Sequence, residues 1–144
     1  MTDRAAGIDY VETTVKVRYA ETDQMGVVYH ANYIIWFEIG RVAWCRARGF
    51  SYGEMESRDD RYLMVAEADC RYKSPARFED DIIIRTSLGK AGDRVIRYNY
   101  EIIRKRDLRP LASGHTAHVV VNRDYRPSRL PDRYREAFKL PPRK

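Results

Sequence analysis

One segment, residues 32–48, limits most strongly the folds that this chain can adopt. It reads Asn-Tyr-Ile-Ile-Trp-Phe-Glu-Ile-Gly-Arg-Val-Ala-Trp-Cys-Arg-Ala-Arg, and the helix that it predicts has apolar side chains around most of its circumference. Asn32 is a suitable N-cap and Gly49 a suitable C-terminal stop. A helix that is apolar on nearly all sides is expected to be buried on nearly all sides. The rest of the chain must therefore surround this helix.

Three positions within the helix predict specific contacts. Glu38 and Arg41 are three residues apart, a spacing that favours an ion pair on one helix face. Gly40 lowers helix stability relative to alanine. Its presence therefore predicts that another backbone approaches the helix closely at this point.

Five segments are predicted to form β-strands. Residues 11–19 come before the helix and place valines on one face and charged residues on the other. Four further candidates follow it, at residues 62–73, 81–88, 94–106 and 111–122. Turn residues at 89–93 and 107–110 favour antiparallel hairpins. This order predicts an α+β fold in which a strongly curved antiparallel sheet wraps around one long central helix.

The length of 144 residues predicts a single domain over residues 1–144. The N-terminal segment lacks the apolar core of a signal peptide, and no apolar run approaches the ~20 residues that span a bilayer. We therefore expect a cytoplasmic protein without stable membrane insertion. The two cysteines, Cys45 and Cys70, fall in predicted core positions, and no Cys/His cluster indicates a metal site.

The net charge of +6 predicts either a solvated basic surface or an anionic partner. We expect no nucleic-acid binding, because the chain has no basic helix, zinc pattern or aromatic ribonucleoprotein motif. A phosphorylated small molecule would need only a few of the basic side chains.

The stretch most informative about function is residues 19–33, which read Tyr-Ala-Glu-Thr-Asp-Gln-Met-Gly-Val-Val-Tyr-His-Ala-Asn-Tyr. It places Asp23 in a loop just before the buried helix. The start of a helix presents unpaired N–H groups and a partial positive charge. These groups can stabilise an oxyanion that forms on a carbonyl group. A carboxylate beside them suits hydrolysis of an activated acyl group, as nucleophile or as general base for water.

This stretch resembles the signature of the 4-hydroxybenzoyl-CoA thioesterase-like enzymes of the hotdog fold. The resemblance rests on Asp23, Gly26, Val27, Val28, His30, Asn32, Tyr33, Phe37, Glu38 and Arg41. A second segment, residues 72–80, is also similar, and the likeness covers about residues 11–140. The resemblance implies a hotdog fold and acyl-CoA thioesterase activity without a cofactor. It further implies a homodimer or homotetramer whose active sites lie at subunit interfaces.

By the same resemblance, Asp23 is the catalytic carboxylate and the backbone N–H of His30 donates to the thioester carbonyl. Glu38 is a rival carboxylate, because other hotdog thioesterases use an acidic residue on the central helix. Its spacing from Arg41 favours an ion pair instead. Tyr29 and Asn32 are predicted to line the site, or else to pack against the helix start and cap it.

Three basic residues near the second similar segment are predicted to bind the phosphates of CoA: Arg71, Lys73 and Arg77. Arginine matches phosphate geometry particularly well. Two other functions stay open, a hydroxyacyl-thioester dehydratase and a non-catalytic acyl-CoA-binding protein. A dehydratase needs an acid/base pair for elimination, and a regulator is expected to carry a DNA-binding module, for which this chain has no room. The acyl group, and the choice between CoA and acyl-carrier-protein thioesters, also stay open.

Overall fold

The computed structural model describes residues 9–143. The helices and strands are β1 (Tyr10–Lys16), α1 (Ala31–Ala47), α2 (Tyr52–Asp59), β2 (Tyr62–Tyr72), β3 (Asp81–Ala91), β4 (Val95–Arg104) and β5 (Arg109–Val121). Short 3₁₀ turns occur at Tyr19–Glu21 and Asp132–Tyr134. The predicted order of one strand, one long helix and four strands is confirmed.

The strands form one antiparallel sheet in the order β1-β3-β4-β5-β2. The two predicted hairpins, β3–β4 and β4–β5, are both present. β2 pairs with β5 and ends the sheet on one side, so one of its edges has no partner strand within residues 9–143. α1 packs across one face of the sheet, against β1, β3, β4 and β2.

α1 is buried on the face toward the sheet and partly uncovered on the other. Trp36, Phe37 and Trp44 are almost completely buried, whereas Ile35 and Ile39 are 48% and 37% exposed. The expectation that this helix is buried on nearly all sides is therefore wrong for the single chain. The five strands cover one face of α1 and leave Ile35 and Ile39 on the opposite face partly exposed.

Gly40 lies where α1 touches β3. A Cβ atom at this position would be 2.2 Å from Thr86 Oγ1 and 2.8 Å from Ile84 Cγ2. The helix and β3 do pack closely here, but the neighbouring atoms are side chains of β3, so the predicted approach of a backbone is wrong.

The predicted ion pair between Glu38 and Arg41 is wrong. Arg41 is four residues after Phe37 and three before Trp44, so it falls on the buried stripe of α1. It is 8% exposed, and its Nη1 donates to the Tyr100 hydroxyl at 3.2 Å. Glu38, one turn away, is exposed to solvent.

A polar network continues from this arginine into the sheet. The Tyr100 hydroxyl lies 2.6 Å from Thr116 Oγ1, and His118 Nε2 lies 2.8 Å from the same oxygen. Burial, together with the nearby Arg41 charge, lowers the pKa of His118 to about 4, so its imidazole is neutral at pH 7. Burial also raises the pKa of the Cys45 thiol to about 11. Both groups belong to the packed interior.

Within residues 9–143, no helix is long and apolar enough to cross a membrane. The same part of the chain contains no group of three or more His, Cys, Asp or Glu residues arranged to hold a metal ion. The cytoplasmic location stays a prediction from the sequence.

Candidate active site

A pocket of about 340 Å³ opens beside the N-terminus of α1. Its walls come from the loop before α1, the first turn of α1, and the end of β2 with the segment that follows. The lining residues are Asp23, Val27, Val28, His30, Tyr33, Tyr72, Lys73, Ser74 and Pro75. Segments about 40 residues apart in sequence therefore meet at this pocket.

The loop that carries Asp23 is closed by local hydrogen bonds. The Asp23 N–H donates to the Val27 carbonyl at 2.9 Å, and the Gly26 N–H donates to the Asp23 carbonyl at 3.0 Å. Gly26 has a φ of +81°, which glycine adopts without strain. The Met25 N–H donates to Asp23 Oδ1 at 2.9 Å. This is the side chain's one hydrogen bond within residues 9–143, so Oδ2 is available to a substrate or a water molecule.

α1 begins one residue earlier than its predicted cap. His30 is the N-cap and Ala31 the first helical residue. The predicted N-cap at Asn32 is therefore wrong, because Asn32 is already in the first turn. Its side-chain amide instead donates to the Glu21 carbonyl at 2.9 Å, which ties the start of the helix to the preceding loop. The predicted stop at Gly49 is confirmed, with a left-handed φ of +92°.

Two backbone N–H groups at the helix start, those of His30 and Ala31, have no acceptor among the residues that the structure describes. The peptide groups that carry them are held at their carbonyl oxygens. The Tyr29 carbonyl accepts the Asn32 N–H at 2.9 Å, and the His30 carbonyl accepts the Tyr72 hydroxyl at 3.1 Å. Donors that are free, and oriented before a ligand arrives, are what an oxyanion hole requires.

Tyr72 is a residue of this site to which sequence reasoning assigned no role. Burial raises its pKa to about 12, so the hydroxyl stays protonated and donates at neutral pH. Its ring packs edge-on against Tyr33 at 5.2 Å and against His30 at 6.1 Å. The Tyr33 hydroxyl in turn accepts the Ala76 N–H at 3.1 Å. The family-like segment after β2 was the available signal, but the pattern there did not indicate a contact with His30.

The structure separates the predicted site residues into two groups. Asp23, His30 and Lys73 line the pocket. The remaining predicted contacts are not among its lining residues: Tyr29, Asn32, Arg71 and Arg77. Tyr29 packs its ring against His30 at 4.6 Å. Neighbouring strand residues point to opposite faces, so Arg71 faces away from the side on which Tyr72 meets the pocket.

Comparison with known proteins identifies relatives for almost the whole chain. Residues 17–138 match the family model described as the thioesterase-like superfamily. The chain is 33% identical over 124 residues to YneP of Bacillus subtilis (strain 168), whose name gives acyl-CoA thioesterase as a provisional activity. This match covers 86% of each protein.

Solved structures agree with these sequence matches. The DHNA-CoA thioesterase from Staphylococcus aureus superposes with a TM-score of 0.84 at 33% identity, over 90% of this chain and 89% of that one. A 4-hydroxybenzoyl CoA thioesterase superposes with a TM-score of 0.81 over 89% of this chain and 97% of that one. At 13% identity, the second likeness concerns the fold alone. The predicted α+β hotdog fold is confirmed.

Proposed function

This chain belongs to the thioesterase-like superfamily, and we propose that it hydrolyses acyl-CoA thioesters at a catalytic centre formed by Asp23 and the start of α1. One observation carries the proposal. The pocket that Asp23 lines is also lined by His30, at the helix start where two oriented N–H groups have no acceptor within residues 9–143. A carboxylate and the helix start that carries these donors thus border one cavity.

The chemistry follows from this arrangement. The N–H groups of His30 and Ala31 bind the thioester carbonyl oxygen and stabilise the negative charge that develops on it. Asp23 then either attacks the carbonyl carbon or removes a proton from an attacking water molecule. In the first route the C–S bond breaks to leave a mixed anhydride on Asp23, which water hydrolyses to the free acid and the restored carboxylate. In the second route water adds to the carbonyl carbon and the C–S bond then breaks, giving the acid directly. In both routes the thiolate of CoA takes up a proton.

A thiol-release assay tests the function directly. We expect free thiol when the protein is incubated with acyl-CoAs that range from short aliphatic to aromatic, in the presence of a thiol-trapping dye. A hydroxyacyl-thioester dehydratase would give an unsaturated thioester and no thiol, and a non-catalytic acyl-CoA-binding protein would give neither product. Absence of thiol across both CoA and acyl-carrier-protein thioesters would contradict the proposal.

The predicted substrate contacts take different parts in this proposal. Lys73 lies in the pocket wall and contacts substrate directly. Tyr29 packs against the His30 ring at the rim, and Asn32 holds the helix start through the Glu21 carbonyl. The other two predicted phosphate contacts, Arg71 and Arg77, are exposed and lie outside the pocket lining.

Tyr72 is proposed as a positioning residue, because its hydroxyl holds the peptide group that carries the Ala31 N–H. We expect Tyr72→Phe to lower kcat by ~5-fold, the worth of one hydrogen bond of ~1 kcal/mol. KM and the free energy of unfolding should change little, because the ring remains and is half-exposed. Steady-state kinetics and urea unfolding measure these quantities.

Tyr125→Phe is the matched control, since Tyr125 is 75% exposed and does not line the pocket. It should leave kcat unchanged. An unaltered kcat for Tyr72→Phe, or a loss that appears only in KM, would remove the positioning role.

We also propose that the protein is a homo-oligomer, a dimer or a tetramer, because two apolar surfaces are uncovered. On α1 these are Ile35 and Ile39, and on the edge strand β2 they are Met64 and Val65, which are 43% and 50% exposed. An open strand edge favours pairing with another strand. A second copy of the chain would cover both surfaces at once.

Light scattering at micromolar concentration should give at least twice the 17.0 kDa of one chain. Ile35→Lys should lower this mass, because it places a charge on the uncovered face of α1. A wild-type species of 17.0 kDa alone would contradict the assembly.

A further inference from the structure

A second pocket, of about 320 Å³, adjoins the catalytic pocket at the end of the sheet where β4 turns into β5. Its lining residues are Lys73, Arg85, Glu101, Ile102, Ile103, Leu108, Pro110 and Ala112. Lys73 belongs to the walls of both pockets. The two pockets are therefore neighbours, with this lysine between them.

The second pocket has an apolar wall at the surface. Leu108 stands at the tip of the β4–β5 hairpin and is 67% exposed. Its φ is +56°, in the left-handed region where glycine or asparagine is usual. Ile103 and Pro110 complete this wall. A concave apolar surface next to polar groups is typical of a site for a flat organic ring.

Two cations without a carboxylate partner in residues 9–143 stand where the pockets meet. One is Lys73, and the other is Arg109, whose Nε donates to Ser74 Oγ at 2.8 Å. Ser74 lines the catalytic pocket, so this bond places the guanidinium of Arg109 at its mouth. In contrast, Arg104 is bound through two nitrogens to Asp107 at 3.0 and 2.9 Å.

The charges inside the second pocket largely cancel one another. Arg85 is 2.7 Å from Glu12 and 3.2 Å from Glu101. A phosphate would be repelled by the Glu101 carboxylate, whereas an amino group could donate to it. The cationic boundary and the apolar, weakly charged interior of the pocket thus suit different parts of one ligand.

We propose that the second pocket binds the nucleotide end of CoA. This inference rests on the proposed function. When the thioester is held at Asp23, the pantetheine arm of CoA extends from the catalytic pocket toward Lys73. The diphosphate that follows the arm meets Lys73 and Arg109, whose charges have no partner. The adenine ring lies against Leu108, and its amino group faces Glu101. Phosphate recognition is thereby assigned to Lys73, which lines both pockets, and to Arg109, which is bonded to the lining residue Ser74. Arg71 and Arg77 line neither pocket, and within residues 9–143 their side chains have no hydrogen bond to a lining residue.

Two substrates with the same acyl group test the proposal, one on CoA and one on pantetheine, which lacks the nucleotide. The double variant Leu108→Asp/Arg109→Gln should raise KM for acyl-CoA at least ~10-fold, because it removes a charged contact and an apolar one. Its kcat should stay near that of the wild type, since these distant contacts bind ground and transition states alike. Hydrolysis of acyl-pantetheine should be unchanged within about twofold. Lys73 is left intact because it also lines the catalytic pocket.

Arg126→Gln, at an exposed arginine in the loop after β5, is the control for charge alone. It should leave KM unchanged for both substrates. An unaltered KM for acyl-CoA in the double variant would overturn the proposal. An equal rise in KM for acyl-CoA and acyl-pantetheine would also overturn it, because the catalytic pocket itself would then be disturbed.

Failure of the proposed function is recognised separately, because the wild type would then hydrolyse neither substrate. In that case calorimetry with free CoA still tests whether the second pocket binds the nucleotide. Binding of CoA by the wild type that weakens ~10-fold in the double variant supports the site. Equal binding by both proteins, or none by either, overturns it.

Discussion

Replacement of Asp23 by asparagine is expected to lower kcat by ~100-fold or more, the usual loss when a principal acid/base or nucleophilic group is removed. Asparagine keeps an oxygen that can accept the Met25 N–H, so the loop should retain its 2.9 Å hydrogen bond and its shape. It cannot act as a nucleophile, and it cannot accept a proton from water. The thiol-release assay measures the loss, and urea unfolding shows whether the fold is preserved.

Asp124→Asn is the matched control, because it makes the same chemical change at an exposed aspartate outside the pocket. Its kcat should equal that of the wild type. A correctly folded Asp23→Asn protein with near-normal turnover would refute the catalytic role of Asp23. Glu38, the acidic residue on α1, would then be the candidate catalytic carboxylate.

Gly40→Ala is expected to lower the free energy of unfolding by ~1–3 kcal/mol, the usual cost of adding a methyl group to a packed core. The new Cβ atom would lie 2.2 Å from Thr86 Oγ1 and 2.8 Å from Ile84 Cγ2, so α1 must move away from β3. Alanine also raises helix propensity by ~1 kcal/mol relative to glycine. We expect the steric cost to exceed this gain, because both neighbouring atoms belong to short, buried side chains.

Gly53→Ala is the control for propensity alone, because Gly53 lies in the first turn of α2 and its Cβ atom would be 3.9 Å from Ser51 Oγ. This variant should be as stable as the wild type, or more stable by up to ~1 kcal/mol. The double variant Gly40→Ala/Thr86→Ala should recover part of the loss, since it removes Oγ1. Urea unfolding measures both variants. If the Gly40→Ala protein proves as stable as the wild type, the contact between α1 and β3 is loose.

The features predicted correctly from the sequence depend on residues close together in the chain. Strand alternation and hairpin turns involve only near neighbours, so the order of the strands along the chain and the two hairpins could be predicted. The position of Asp23 just before a helix start is also local, since His30 follows it by only seven positions. For the same reason, both groups could be assigned to one site before any tertiary contact was known.

The errors concern contacts that depend on which elements become neighbours in space. The Glu38–Arg41 pair was a sound local expectation, but the sheet covers the helix face that carries Arg41 and offers Tyr100 as its partner. The cap at Asn32 was likewise a reasonable local assignment. It failed because the loop brings the Glu21 carbonyl within reach of the Asn32 side chain.

The sequence by itself determined a strand, a long apolar helix with a carboxylate before it, and four antiparallel strands. Only the tertiary structure decided that β2 lies beside β5 at the edge of the sheet. That placement brings Tyr72 to His30, 42 positions away, and sets Lys73 between the two pockets. The alternation of apolar and polar residues indicates which face of a strand is buried. Which strand lies beside it is decided by the packing of the whole chain. The oriented helix start and the second pocket could therefore be recognised only in the folded protein.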